Sequence, residues 1–348
     1  MNFVLNGQGH GDVASVLMAN SFDAGALRPY VGKDGRTRIT VNQNGKPVSL
    51  VTNAAATLRK DEWIQLDTAI IKAAKPRLNA VSDLRNAGLV YSIPNGLGKT
   101  VLEHEAQSDI GPATVSMDGL REGVRNRPQF DLRSLPLPIT HKDFSFSARQ
   151  IMASRNGGSA LDTTMAELAG RQVAEEIEKL TLGVSTGIAF GGGQVYGYMN
   201  YPYRLTKTLT AINAASYYTV LADVLDMRKK STDNGYYGPW VLYYSPAWYG
   251  HMDADYDASN RNGTTLADRL KQVQGISDVK PADYLTGTTL LLVQQTTDVA
   301  RLVMGMDITT VQWETQVGMQ LNFKVMAIMV PQLRSDYSNQ CGIVHGTV

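Results

Sequence analysis

The sequence predicts an α+β protein, and three observations carry that prediction. Residues 162–182 have the pattern of one long amphipathic helix. Two apolar strands, 240–244 and 289–293, alternate with helical segments. Residues 101–149 alternate strand-like stretches with turn residues around a polar, glycine-containing middle at 117–126.

In chain order, residues 1–56 carry glycines at 7, 9, 11, 25, 32, 35 and 45 with no sustained period, the pattern of an extended arm. Within it, strands 37–41 and 47–51 flank Asn44-Gly45, a hairpin signal because both central turn positions need positive φ. Seven Lys or Arg against three Asp over residues 1–60 make the arm modestly basic. Residues 58–84 predict a helix with Trp63, Leu66, Ile70 and Ile71 on one stripe, kinked or ended by Pro76. Residues 101–149 predict a long two-stranded excursion with a solvated tip.

For the helix over 162–182, the expected apolar stripe is Met165, Leu168, Val173, Ile177 and Leu180, with Ser159 or Asp162 as cap. Glu167 with Arg171 and Glu175 with Lys179 are in favourable four-residue order, worth a few tenths of a kcal/mol each. Such pairs are too weak to position the helix, so packing must do it. A helix over 214–230, strand 240–244, short helix 266–273 and strand 289–293 then predict a mixed α/β domain. Strands 301–306 and 320–330 close the chain, the latter with Leu321, Phe323, Val325, Ala327 and Met329 on one face.

At 348 residues the chain can hold one elaborated domain or two intertwined ones. A formal charge of +1, with 43% hydrophobic and 19% charged residues, supplies no global field to attract nucleic acid or an anionic membrane. Cys341 is the only cysteine, which excludes an intrachain disulfide and a thiolate cluster built by one chain. Residues 1–17 lack the pattern of a signal peptide, and no run reaches the roughly 18 apolar residues of a membrane helix, so a soluble, non-exported protein is expected.

Motifs that resemble chemistry do not complete it. Asn95-Gly96-Leu97-Gly98-Lys99-Thr100 ends like a phosphate-binding loop, but Ile93 stands where the first glycine is required; a turn entering a strand is expected. Gly191-Gly192-Gly193-Gln194-Val195-Tyr196-Gly197 has the wrong spacing for a dinucleotide fingerprint and follows a helix, so it reads as a flexible connector. Asp253, Asp255 and Asp257 begin like a calcium loop, yet Ala258 and Thr264 replace the glycine and glutamate it needs. Ser245 before Pro246 lacks the glycine-bracketed elbow of a hydrolase. Histidines 10, 104, 141, 251 and 345 include no pair at helical spacing. No catalytic residue, cofactor or metal ligand is therefore predicted.

Arg133-Ser134-Leu135-Pro136-Leu137-Pro138, followed by Phe144-Ser145-Phe146, Ser159-Ala160-Leu161-Asp162 and the helix ending at Gly183, resembles the encapsulins and related phage capsid proteins with the Hong Kong 97-type fold. Similarity continues through Gly197-Tyr198-Met199-Asn200, residues 221–228, Gly238-Pro239-Trp240-Val241-Leu242, residues 266–273, Leu290-Leu291-Leu292-Val293 and Gly305-Met306-Asp307. Order and spacing over roughly residues 58–332 carry the resemblance, with no single diagnostic motif.

The resemblance implies an N-terminal arm (1–57), a helix and lead-in (58–93), an extended β-hairpin loop (94–148), a peripheral domain with a long spine helix (149–202), an axial α/β domain (203–300), and a return to the peripheral domain with the C-terminal strand (301–348). The long arm and loop favour the major capsid protein of a tailed double-stranded DNA phage, forming hexamers and pentamers of an icosahedral shell. An encapsulin-like compartment around protein cargo is the alternative, and a metabolic enzyme with an α/β domain the rival of a different class. Implied partners are copies of the chain, scaffold, portal and decoration proteins, and packaged DNA held nonspecifically, with no membrane. The expected location is the virion, assembled in the host cytoplasm. At the loop tip, Asp118, Arg121, Glu122, Arg125 and Arg127 are candidate intersubunit contacts.

Overall fold

The computed structural model describes residues 30–31, 37–43, 46–51, 58, 60–74, 78–107, 117, 130–157, 163–185, 187–255, 264–315, 320–336 and 338–348. The elements of the arm are β1 (Tyr30–Val31), β2 (Thr37–Gln43) and β3 (Lys46–Val51), a small antiparallel sheet in the order β1-β2-β3. Gln43 pairs with Lys46 across the turn expected at Asn44-Gly45.

The predicted first helix is two helices, α1 (Lys60–Ala74) and α2 (Asn79–Asn86), with Pro76 between them. Trp63, Leu66 and Ile70 are buried as the stripe requires, but Ile71 is 45% exposed: the buried stripe on α1 is narrower than the apolar one. After β4 (Val90–Ser92), the phosphate-loop lookalike is the expected turn. Gly96 in that turn packs on Gly305 so closely that a Cβ would lie 2.4 Å from its backbone, which is why both positions are glycine.

β5 (Val101–Gln107) and β6 (Phe130–Pro136) pair antiparallel as an isolated two-stranded ribbon. The next strand, β7 (Thr140–Ser147), lies outside that ribbon and pairs along β15 (Gln320–Leu333). With β14 (Ala300–Thr315) and β4 they make a four-stranded sheet in the order β4-β14-β15-β7.

α3 (Ala148–Gly157) leads to the long helix α4 (Thr164–Leu182), which ends at Gly183 in the left-handed conformation that favours glycine. Its buried face differs from the expected stripe. Val173, Ile177 and Leu180 are inside, but Met165 and Leu168 are 51% and 41% exposed, and Ala166, Ala169, Gly170 and Ala174 complete the buried side. Small residues let α1 approach closely, since a Cβ on Gly170 would lie 2.8 Å from Ile70 Cγ2. The N-cap is Thr163, without a side-chain capping bond; Ser159 and Asp162 lie outside the described residues. The surface ion pairs are Arg171 with Glu175 and Lys179 with Glu176, displaced from the expected register.

Beyond α4 come a short hairpin, β8 (Ala189–Phe190) and β9 (Gly193–Gln194), then β10 (Leu205–Thr208) and α5 (Tyr217–Asp233). α5 starts with a capping box, Ser216 and Thr219 exchanging side-chain and backbone bonds. β11 (Trp240–Tyr244), α6 (Tyr249–Met252), α7 (Leu266–Lys271), β12 (Ile276–Pro281) and β13 (Leu290–Gln294) follow. The last strand, β16 (Ile343–Thr347), completes a five-stranded mixed sheet in the order β10-β16-β13-β11-β12. Sheet membership therefore divides residues 301–348: β14 and β15 stay in the four-stranded sheet, and β16 joins strands from 205–294.

Continuous apolar runs in β11 and β13 follow from burial on both faces. Trp240, Leu242, Tyr244, Leu290 and Leu292 pack with α5 and α7 and with Ile276 and Val279 of the same sheet, whereas Val241, Tyr243, Leu291 and Val293 join the core with α1, α2, α4 and β15. That central core is ordered by aromatics: Phe144 stacks on Phe323 at 5.2 Å, and Trp63 and Phe146 meet Phe323 edge-on at 5.9 and 5.6 Å. The expected inward set on β15, Leu321 through Met329, is buried throughout.

Candidate assembly surface

The β5–β6 ribbon runs from a buried root to an exposed end. Leu135 and Leu137 at the root are 6% and 5% exposed and pack with Ile93, Val195, Val303 and Val330. At the other end Phe130 and Leu132, two residues apart and so on one face, are 61% and 60% exposed. Gln107 and Phe130 form the last pair, and Met117 beyond them is fully exposed. Asp118, Arg121, Glu122, Arg125 and Arg127 lie outside the described residues.

The glycine cluster after α4 clamps the root of the ribbon, so it is not a flexible connector. Gly191 and Gly192, at φ 59° and 78°, form the two-residue turn joining β8 and β9. Gly193 then crosses β6 with no room for a side chain. Arg133 adds polar ties: Nη1 donates to Ser335 Oγ at 2.7 Å, Nε to Asp131 at 3.2 Å, and the guanidinium lies over the Tyr203 ring at 5.5 Å. Sequence reasoning missed Phe130, Leu132 and the clamp. Their available signals were apolar residues two apart inside an otherwise polar excursion and adjacent glycines suited to a tight hairpin turn.

A cleft opens between this root, the β8–β9 hairpin and the end of β15, lined by His104, Arg133, Gln194, Tyr196, Tyr203 and Gln332 among others. His104 is pushed down to about 4, first by burial and then by Arg334, Arg301 and Arg133. It is therefore neutral near pH 7 and badly placed to exchange protons there. Three of the other motif residues make structural contacts. Ser245 Oγ donates to the Gly287 carbonyl at 2.7 Å and accepts from the Thr289 N–H at 3.2 Å, closing a turn. His345 accepts from Arg204 Nε at 3.1 Å. Asp255 bridges to Thr265 through backbone, while Asp257 and Ala258 lie outside the described residues. Among the described residues no group of His, Cys, Asp and Glu could hold a metal, and no helix is long and apolar enough to cross a membrane.

Residues 53–346 match the family described as "Family of unknown function (DUF6260)". The chain belongs to this family. Among curated proteins, this member is 24% identical over 258 residues to the Type 1 encapsulin shell protein EncA of Myxococcus xanthus, covering 73% of this chain and 83% of that one. Among solved structures, it superposes on a virus-like particle protein from Pyrococcus furiosus with a TM-score of 0.57 at 17% identity, covering 81% of this chain and 98% of that one. The capsid protein of Myoviridae phage XM1 gives a TM-score of 0.56 at 10% identity, with coverages of 72% and 86%. The fold of this family member is thus the Hong Kong 97-type capsid fold, as the resemblance implied.

Proposed function

We propose that the chain is a structural shell subunit: the major capsid protein of a tailed double-stranded DNA bacteriophage, assembling into hexamers and pentamers of an icosahedral shell around the genome. The observation that carries this reading is the β5–β6 ribbon. A two-stranded ribbon is marginally stable alone, yet this one holds Phe130 and Leu132 in water beyond a tightly clamped root. Such a segment gains its stability from neighbours, by strand addition or by lying across an adjacent subunit. Many weak contacts, each about 4 to 8 kcal/mol, let misplaced subunits leave before multivalency locks the lattice. The shared fold of shell-forming proteins supports the same reading.

In this reading the arm is 1–57, the lead-in 58–93, the extended loop 94–148, the peripheral domain 149–202 around the spine helix α4, and the axial domain 203–300. Residues 301–348 supply the returning strands, with β16 finishing the sheet of the axial segment. Asp118, Arg121, Glu122, Arg125 and Arg127 at the loop tip make intersubunit salt bridges. DNA inside the shell is held through phosphate contacts that weaken with salt. Scaffold, portal and decoration proteins are the further partners, the shell is assembled in the host cytoplasm, and the chain carries out no catalysis.

A second reading, an encapsulin-like compartment around protein cargo, is favoured by the sequence match to the Myxococcus xanthus shell protein. Electron microscopy of the expressed full-length protein tests both. Closed icosahedral particles are expected, and nuclease-protected DNA against co-purifying protein inside them separates the two contents. A homogeneous small oligomer at every concentration and salt tested would overturn the shell reading.

A further inference from the structure

Where α4 meets α2 and the inner face of the five-stranded sheet, the core encloses a polar cluster. Glu178 on α4 is 2% exposed, and its carboxylate accepts from the backbone N–H groups of Ala80 at 2.6 Å and Val81 at 3.4 Å. These are opening N–H groups of α2, whose own N-cap, Leu78, has no side chain able to accept. One turn along, Asp83, 6% exposed, accepts from Tyr243 Oη at 2.7 Å and Lys280 Nζ at 2.5 Å. Tyr198 is fully buried, stacks near Tyr243 at 6.3 Å between ring centres, and its hydroxyl has no hydrogen-bond partner among the described residues.

The charges do not balance around Glu178. From α2 it faces Asp83, from the segment after α4 the Tyr198 hydroxyl, and from β11 Tyr243. From β12 comes Lys280, which is committed to Asp83 and to Asp278 at 3.1 Å. Lys179, next to it on α4, turns to Glu176 and the Tyr284 ring. The ammonium thus belongs to Asp83 and Asp278, Glu178 has no ion-pair partner among the described residues, and the hydroxyls supply no charge.

We propose that this junction is a proton-responsive joint: protonated Glu178 holds α2, α4 and the five-stranded sheet together, and its ionisation draws water into the seam and loosens it. Desolvation, outweighing the two N–H bonds, raises the Glu178 carboxyl to about 7, which places the transition near neutral pH. The inference concerns the subunit itself and is independent of what a shell would enclose.

The test compares the full-length wild-type protein with Glu178→Gln, a neutral mimic of the protonated acid, by hydrogen exchange at Ala80 and Val81 from pH 5.5 to 8.5, corrected for intrinsic exchange rates. Wild-type protection is expected to fall roughly tenfold or more relative to the variant across that range, each unit of displaced titration being worth a factor of ten. Parallel profiles would overturn the joint. A carbon-detected titration of the Glu178 carboxyl in the wild-type protein decides the matter if the variant does not fold: a midpoint near 7 supports the joint, and one below 5 rejects it.

Discussion

Gly193 crosses Ser134 so closely that a β-carbon on the glycine would lie 1.9 Å from the Ser134 carbonyl oxygen. The contact is to backbone, which no rotamer change relieves, so the β8–β9 hairpin and the root of the β5–β6 ribbon fit only with glycine there. Gly193→Ala should lift the hairpin from the ribbon at a cost of about 1 to 3 kcal/mol, the usual range for overpacking. Limited proteolysis and hydrogen exchange across residues 101–107 and 130–136 will register it as faster cleavage and lost protection. Unchanged protection there would show that the clamp has no mechanical role.

Phe130 and Leu132 separate folding from assembly. Both are mostly exposed in the single chain, so Phe130→Ser with Leu132→Ser should leave the melting temperature nearly unchanged while suppressing large assemblies. Deletion of residues 113–126, which carries Asp118, Arg121, Glu122 and Arg125, should likewise leave small oligomers. Size-exclusion chromatography reads both outcomes, and particles of normal size from either variant would rule out the ribbon as an assembly element.

Phe323 is fully buried and contacts Trp63, Phe144 and Phe146. Truncation to alanine removes the centre of that cluster, and a loss of about 3 to 5 kcal/mol is expected from the transfer and cavity terms. Chemical denaturation followed through tryptophan fluorescence measures it. A loss below 1 kcal/mol would mean that the surrounding sheets collapse into the space.

Asp83 is the acceptor for both Tyr243 and Lys280. Asp83→Ala leaves a buried hydroxyl and an ammonium without that carboxylate. Lys280 is 36% exposed and retains Asp278, so the expected cost is about 2 kcal/mol, smaller than for a fully buried pair. A double-mutant cycle with Tyr243→Phe should give a coupling near 1 kcal/mol, whereas additive effects would show that the hydroxyl contributes independently.

His104 and His345 set a pH limb opposite in sign to that of Glu178. Burial, followed by Arg334, Arg301 and Arg133 for His104 and by Arg204 for His345, holds both near 4, against about 6.5 in an unfolded chain. Their depressed values stabilise the fold above about pH 6.5, and that contribution is lost as pH falls toward 4. Glu178 is raised, so its contribution is present below the ordinary carboxylate range and lost as pH rises through about 7. His104→Gln with His345→Gln should remove the rise in stability from pH 4 to 6.5 and leave the decline toward pH 7 that Glu178 contributes, as thermal melts across pH will show.

The sequence by itself did not reveal β10, β12 or β16, but it determined many of the elements and their order: the hairpin at 37–51, the helix ending at Gly183, the apolar strands read at 240–244 and 289–293, and the inward face of β15. These are local properties, because apolar spacing, caps and turn residues act within a few positions along the chain. It also showed that no chemical motif was complete. Only the tertiary structure decided which apolar residues are buried, since Met165, Leu168 and Ile71 satisfy helical periodicity yet meet water where small residues on α4 admit α1 instead. It likewise decided that Glu178 caps a helix nearly a hundred residues away and that Gly193 closes on Ser134. Such contacts join segments far apart in sequence, and no periodicity along one segment records the partner that folding brings against it.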